Sequence, residues 1–187
     1  MASGLAARGV LSGRLPMPDI IKGRAIAADD WIEVRLSEGQ STDVDLPLGK
    51  LIVPLAVWQS RREELLRREM RGVWLSDTDE PGDIAEDLQH FHVVAIDFPK
   101  FVNGRGYSTA VLLRSRYGYQ GELRAIGDVL CDQMQYLERV GFDTFGVRPD
   151  RSIEKALAAM DDFVVCYQGS TKPAQPLFRR TNRIAID

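Results

Sequence analysis

Two cysteines in 187 residues, Cys131 and Cys166, share no CxxC spacing. Alone they cannot ligate an iron–sulfur cluster, which takes about four thiolates. The two histidines, His90 and His92, have no Asp or Cys at ligand spacing around them, so a transition-metal site is not expected. No apolar run approaches the roughly 18–20 residues that cross a bilayer. A net charge of −3 gives no general attraction to nucleic acid or to an anionic membrane, although it leaves room for a local basic patch. Also missing are the GxxxxGK[ST] phosphate loop and the GxGxxG dinucleotide fingerprint, so any cofactor stays unknown. These absences point to a cytoplasmic protein without a recognisable redox group.

What is present is ordinary globular material: 44% hydrophobic and 27% charged residues, enough for one domain with one core. Residues 17–168 are expected to form a single α/β domain and 169–187 a loosely attached tail. Residues 1–16 read as disordered or as a mis-assigned start, with Met17 the natural first residue. A weak transit-like reading is the alternative.

Residues 17–50 read as an antiparallel start. Ile20–Ile21 and Ala25–Ala27 flank Gly23, and Trp31–Val34 alternates bulky and polar side chains, as a half-buried strand does. From Leu51 the pattern becomes strand–helix alternation. Leu51–Val57 is a continuous apolar run suited to a strand covered on both faces. Ser60 and Glu63 form a capping-box pattern for a helix carrying Leu65, Leu66 and Met70 and ending at Gly72. Val73–Leu75 follows as a second strand, then a helix from Asp83 with Ile84, Leu88 and Phe91 on one face.

His92–Phe98 is the third strand. A loop then leads into a helix over Ser108–Tyr117, stopped by Gly118. Glu122–Ile126 is the fourth strand, and Asp128 caps a helix with Leu130, Met134 and Leu137 on its stripe, ending at Gly141. Asp143–Val147 is the fifth. Asp150 or Ser152 caps a last helix, and Phe163–Tyr167 is the sixth strand. Six strands alternating with five helices imply a mainly parallel sheet, either an open doubly wound sheet or an incomplete barrel.

Ligands of such sheets bind beyond the carboxyl ends of the strands, and polar residues collect there. Asp97, Lys100, Asn103, Gly104, Arg105, Gly106 and Ser108 follow the third strand. Arg124 and Asp128 close the fourth, and Arg148 the fifth. In NGRGYS the glycines permit close backbone approach, the following helix offers unpaired N–H groups, and Lys100 and Arg105 add charge. A small anion or phosphate suits this arrangement. A plain strand-to-helix turn with Ser108 as cap is the competing reading.

Asp97 and Asp128 could meet as a carboxylate pair. Otherwise Asp128 caps a helix and Asp97 pairs with Lys100 or Arg105. Cys131, in the first turn of the helix after Asp128, is either a dipole-activated thiol or an inert core residue. Cys166 reads as core. Arg61, Arg62, Arg67, Arg68 and Arg71, mixed with Glu63, Glu64 and Glu69, read as a solvated helix face, and Trp58 and Trp74 as core or rim.

The block from Asp97 to Arg148, DFPKFVNGRGYSTAVLLRSRYGYQGELRAIGDVLCDQMQYLERVGFDTFGVR, resembles the core of the bacterial DUF934 family. The DDW at Asp29–Trp31 and the strand HVVAIDF fit it as well. The resemblance implies a role in assimilatory sulfite reduction, because members are described as oxidoreductases of that step from genes neighbouring those of sulfite reductase. It brings no catalytic assignment. Two functions are therefore expected in competition. One is an accessory or binding protein that engages a small anion, sulfite reductase or another sulfate-assimilation enzyme. The other is an oxidoreductase of the same pathway with an unidentified or partner-held cofactor. With no flavin, nicotinamide or cluster motif in the chain, the purified protein alone is expected to show no visible absorbance. A stoichiometric flavin or iron spectrum after mild purification contradicts this reading.

Overall fold

The computed structural model describes residues 19–37, 39–100, 103–161 and 170–171. The expected sixth strand, Cys166, most of the tail and the first sixteen residues lie outside them. Eight strands form one sheet: β1 (Asp19–Lys22), β2 (Ala25–Ala28), β3 (Trp31–Glu33), β4 (Lys50–Pro54), β5 (Arg71–Leu75), β6 (Val93–Phe98), β7 (Glu122–Gly127) and β8 (Thr144–Phe145). Their order is β2-β1-β8-β7-β6-β5-β4-β3. The pairs from β3 to β8 are parallel, while β1 pairs antiparallel with both β2 and β8. The sheet is curled into a half-barrel. Of the two architectures open to the sequence, this is the incomplete barrel.

Sequential parallel neighbours joined by right-handed crossovers place their connections on one face. On β6, Val94, Ile96 and Phe98 belong to the large core shared with Ala110, Leu113, Met134 and Leu137 of the helices. Val93 and Ala95 point the other way and pack with Trp31, Ile52 and Ile126 on the concave face. The main helices are α3 (Arg105–Ser115), α4 (Met134–Val140) and α5 (Ile153–Ala159). Gly106 lets α3 lie close on the sheet: a Cβ there would fall 2.7 Å from Phe98 Cζ.

Connectivity forces the curl. β2 and β3 are the two outermost strands, yet only Asp29 and Asp30 separate them in sequence. Seven interstrand spacings of about 4.8 Å would hold the edges of a flat sheet about 34 Å apart. Three Cα steps span at most about 11 Å. The Asp29 carboxylate marks the juncture, accepting from Trp31 N (3.2 Å) and, across the concave face, from Arg124 Nη1 on β7 (2.7 Å). Arg124 also donates to Glu122 Oε1, whose other oxygen takes Lys22 Nζ from β1. The Arg124 and Asp29 side chains are 4% and 6% exposed, so this is a buried ion network.

The hairpin β1–β2 is anchored at its turn, where Gly23 and Arg24 both adopt positive φ. Arg24 forks onto Glu138 (2.9 and 2.7 Å) and reaches Asp161 (2.7 Å), tying the turn to α4 and the end of α5.

Several local expectations are corrected. β3 does not join the antiparallel hairpin; it pairs parallel with β4 at the opposite edge. The run from Leu51 ends as strand at Pro54, and Leu55–Ser60 is already helix (α1). Ser60 closes α1 and caps nothing, its hydroxyl donating to Val57 O. The next helix is only Arg62–Leu66 (α2), which excludes Met70. Gly72 sits inside β5 beneath the Trp31 ring instead of ending a helix. In place of a helix from Asp83 there are two 3₁₀ turns, Pro81–Ile84 and Leu88–His90, although Ile84, Leu88 and Phe91 are buried as expected. α3 starts at Arg105, three residues before Ser108. Asp128 caps no helix, because Leu130 stands at that boundary. β8 is only Thr144–Phe145. Ser152 caps α5, its hydroxyl accepting from Lys155 N at 3.1 Å.

The ion network generates a prediction. Burial opposes ionisation of Glu122, but the Arg124 charge and the Lys22 hydrogen bond outweigh it and hold its pKa below the ordinary 4.5. A carboxylate depressed in the folded state stabilises above its unfolded pKa, and that stability is lost as pH falls through the lower folded value. Unfolding monitored from pH 7 to 3 should show stability falling below about pH 4.5, with Glu122→Gln flattening that acid limb. Arg124→Met leaves the buried Asp29 carboxylate without its charge partner and Glu122 with Lys22 alone, and should cost about 3–5 kcal/mol at neutral pH.

Candidate functional site

The carboxyl ends of the parallel strands form one rim, and the register places the expected residues along it. Asp97 and Phe98 of β6 stand opposite Ile126 and Gly127 of β7. Arg148, three residues past β8, donates through Nη1 to Asp128 Oδ1 at 2.7 Å. Asp97, Gly127 and Arg148 therefore share an edge, as the alternation of the sequence implies. Gly127 has φ +93°, and a Cβ there would meet Phe98 O at 2.5 Å, so only glycine fits where Asp128 N bonds Phe98 O (2.7 Å).

The expected site residues divide into groups by what they touch. Lys100, Asn103 and Gly104 line an open cleft of about 510 Å³ together with Asp77 and Pro99. Asn103 is held from both ends: Nδ2 donates to Asp77 Oδ2 (2.6 Å), and Oδ1 accepts from Arg105 N (3.1 Å) at the start of α3. Lys100 forms no ion pair among the described residues. Arg105, beside the cleft, is paired with Glu80 of the neighbouring loop. Gly106 is buried against Phe98, and Ser108 is exposed on α3. Arg124 is inside the half-barrel.

Asp97 and Asp128 are engaged by different arginines. Asp97 takes Arg35 Nη2 at 2.6 Å, and Asp128 takes Arg148. Neither alternative holds as drawn from the sequence: in place of a carboxylate pair there are two ion pairs, and Asp97 turns to neither Lys100 nor Arg105. The hydrogen bonds to Asp150 and Asp128 raise the pKa of Arg148 and hold it firmly protonated. Cys131 is exposed in a 3₁₀ turn, not buried in the core. No group of three metal-ligating side chains occurs among the described residues. His90 and His92 serve backbone contacts, the His90 carbonyl accepting from Arg71 Nε at 2.9 Å.

Sequence reasoning missed a second cluster at the mouth of the concave face. Glu33 and Asp97 are each 9% exposed, and between them lies Arg35, which donates Nε to Glu33 and Nη2 to Asp97. Its guanidinium stacks 4.6 Å from the Trp74 ring centroid, and Trp74 is fixed by its indole N–H bond to Val34 O (2.9 Å). Burial disfavours the Arg35 charge, but Asp97 and Glu33 overcompensate and raise its pKa. The signal was present in WIEVR: Trp31, Glu33 and Arg35 occupy alternate positions and so one face of an extended chain.

No helix among the described residues is long and apolar enough to cross a membrane. No curated protein and no solved structure matches the chain. A family model described as a bacterial protein of unknown function, DUF934, matches residues 72–178, a span that begins in β5 and carries the whole rim from Asp97 to Arg148. It covers more than half of the 187 residues, and the chain belongs to the DUF934 family.

Proposed function

We propose that this protein is a binding component of assimilatory sulfite reduction that holds a small oxyanion (sulfite, sulfate or phosphate) at the carboxyl rim, with sulfite reductase or another enzyme of that pathway as its partner. One observation carries the reading. Of the four cations that the sequence gathers near the rim, Arg105, Arg124 and Arg148 are each matched by carboxylates, whereas Lys100 has no ion pair among the described residues. Lys100 lines the same cleft as Asn103 and Gly104 at the amino end of α3, where the helix dipole favours negative charge. The pathway rests on the family resemblance.

Titration calorimetry with the three anions tests the site. A hydrogen bond to a charged group contributes about 1.5–3 kcal/mol, and about 1.4 kcal/mol is one decade of affinity. Lys100→Ala should therefore weaken binding about ten-fold or more. Arg105→Ala should weaken it less, because Glu80 already holds that guanidinium. Affinities unmeasurable in the wild type, or unchanged in Lys100→Ala, refute the assignment. The second reading, an oxidoreductase with a partner-held cofactor, is favoured by the Glu33–Arg35–Asp97 cluster, whose two carboxylates are of the type that moves protons at a strand end. Sulfite-dependent electron transfer in a purified complex, abolished by Asp97→Asn, selects it.

A further inference from the structure

We propose that the mouth of the half-barrel, between β3, β5 and β6, binds a small zwitterion, of which a free α-amino acid is the simplest example. This site is separate from the cleft at Lys100 and does not depend on it.

The donor pattern of Arg35 is the starting point. Its Nε and Nη2 meet Glu33 and Asp97, but Nη1 makes no hydrogen bond among the described residues. The outer edge of the guanidinium, Nη1 with the second N–H of Nη2, is therefore a planar fork of the kind that takes a carboxylate by two parallel hydrogen bonds. Trp74 backs the guanidinium face and Glu33 fixes its Nε side, so the fork is held in one orientation. With its side chain 28% exposed, Arg35 is reachable from the mouth.

The acceptors decide what kind of ligand fits. Glu33 and Asp97 spend Oε1 and Oδ1 on Arg35, while Oε2 and Oδ2 have no hydrogen bond among the described residues. Two carboxylates and one guanidinium leave the mouth with a net charge of −1. A simple oxyanion meets that excess negative charge, and a simple cation meets the guanidinium. A molecule with a carboxylate and an ammonium a few bonds apart satisfies both, the carboxylate on the Arg35 fork and the ammonium on Asp97 or Glu33.

The full-length protein is titrated calorimetrically with glycine, L-serine, L-cysteine and L-glutamate, and with acetate, ethylamine and sulfite as single-charge probes. At least one amino acid should bind ten-fold or more tightly than acetate and ethylamine. Arg35→Lys, which keeps the charge but loses the fork, should weaken it about ten-fold, and Lys100→Ala should leave it unchanged. Circular dichroism checks folding, and if Arg35→Lys does not fold, Glu33→Gln serves instead, weakening the amino acid but not acetate. The proposal is overturned if no amino acid binds better than the single-charge probes. It is overturned equally if sulfite binds as tightly and is lost in Arg35→Lys, or if folded Arg35→Lys (or Glu33→Gln in its place) binds the amino acid as the wild type does.

Discussion

The hydrogen-bonded pair of Asp29 and Arg124 sits where the chain passes from one edge of the sheet to the other. The edge strands are consecutive in sequence, so the sheet has to curl, and curling turns one face inward. A charge on that inner face is removed from water and is tolerable only when paired. Arg124 is paired twice, with Asp29 from the β2–β3 link and with its strand-mate Glu122, and Lys22 extends the network to the hairpin. The contact therefore joins the β2–β3 link and, through Lys22, the hairpin to β7, and fixes the start of β3, which leads to Glu33 and Arg35.

A second consequence concerns charge at the rim. Cations near strand ends invite an anion-site reading when they are seen only as sequence, since nothing in the sequence shows their partners. Folding supplies acidic neighbours from other elements, Glu80 to Arg105, Asp128 to Arg148 and Asp97 to Arg35, beside the local pairs Arg148–Asp150 and Arg35–Glu33. The exposed Arg105–Glu80 pair contributes little stability, but together these pairs consume much of the positive potential an anion would use. What stays available is local: Lys100 beside the start of α3, and the outer edge of Arg35 over Trp74.

The βα alternation after Leu51 was legible because apolar runs of strand length and 3.6-residue stripes are imposed by burial, and burial is written in side-chain type. The helices over residues 134–140 and 153–159, and the strands at 93–98 and 122–127, carry that signal clearly. Short elements did not. Leu55–Val57 looked like more strand because an apolar run has no period of its own. The 3₁₀ turns around Ile84 and Leu88 bury the same residues a helix would. The partner of β3 was also hidden, since alternation fixes a strand's faces but not its neighbours.

Glu33 and Arg35 show the division most plainly. Their alternation with Ile32 and Val34 already assigned them a common face. Only the curl of the sheet brought that face opposite Asp97, three strands away in the sheet order, and laid Arg35 over Trp74. The sequence by itself determined which of the longer segments form strands and helices, which residues form the main core, and the family. The tertiary structure decided which charges are partnered and which remain open. Propensity and periodicity are properties of neighbours along the chain, whereas ion pairing depends on distances that exist only once the sheet has curled.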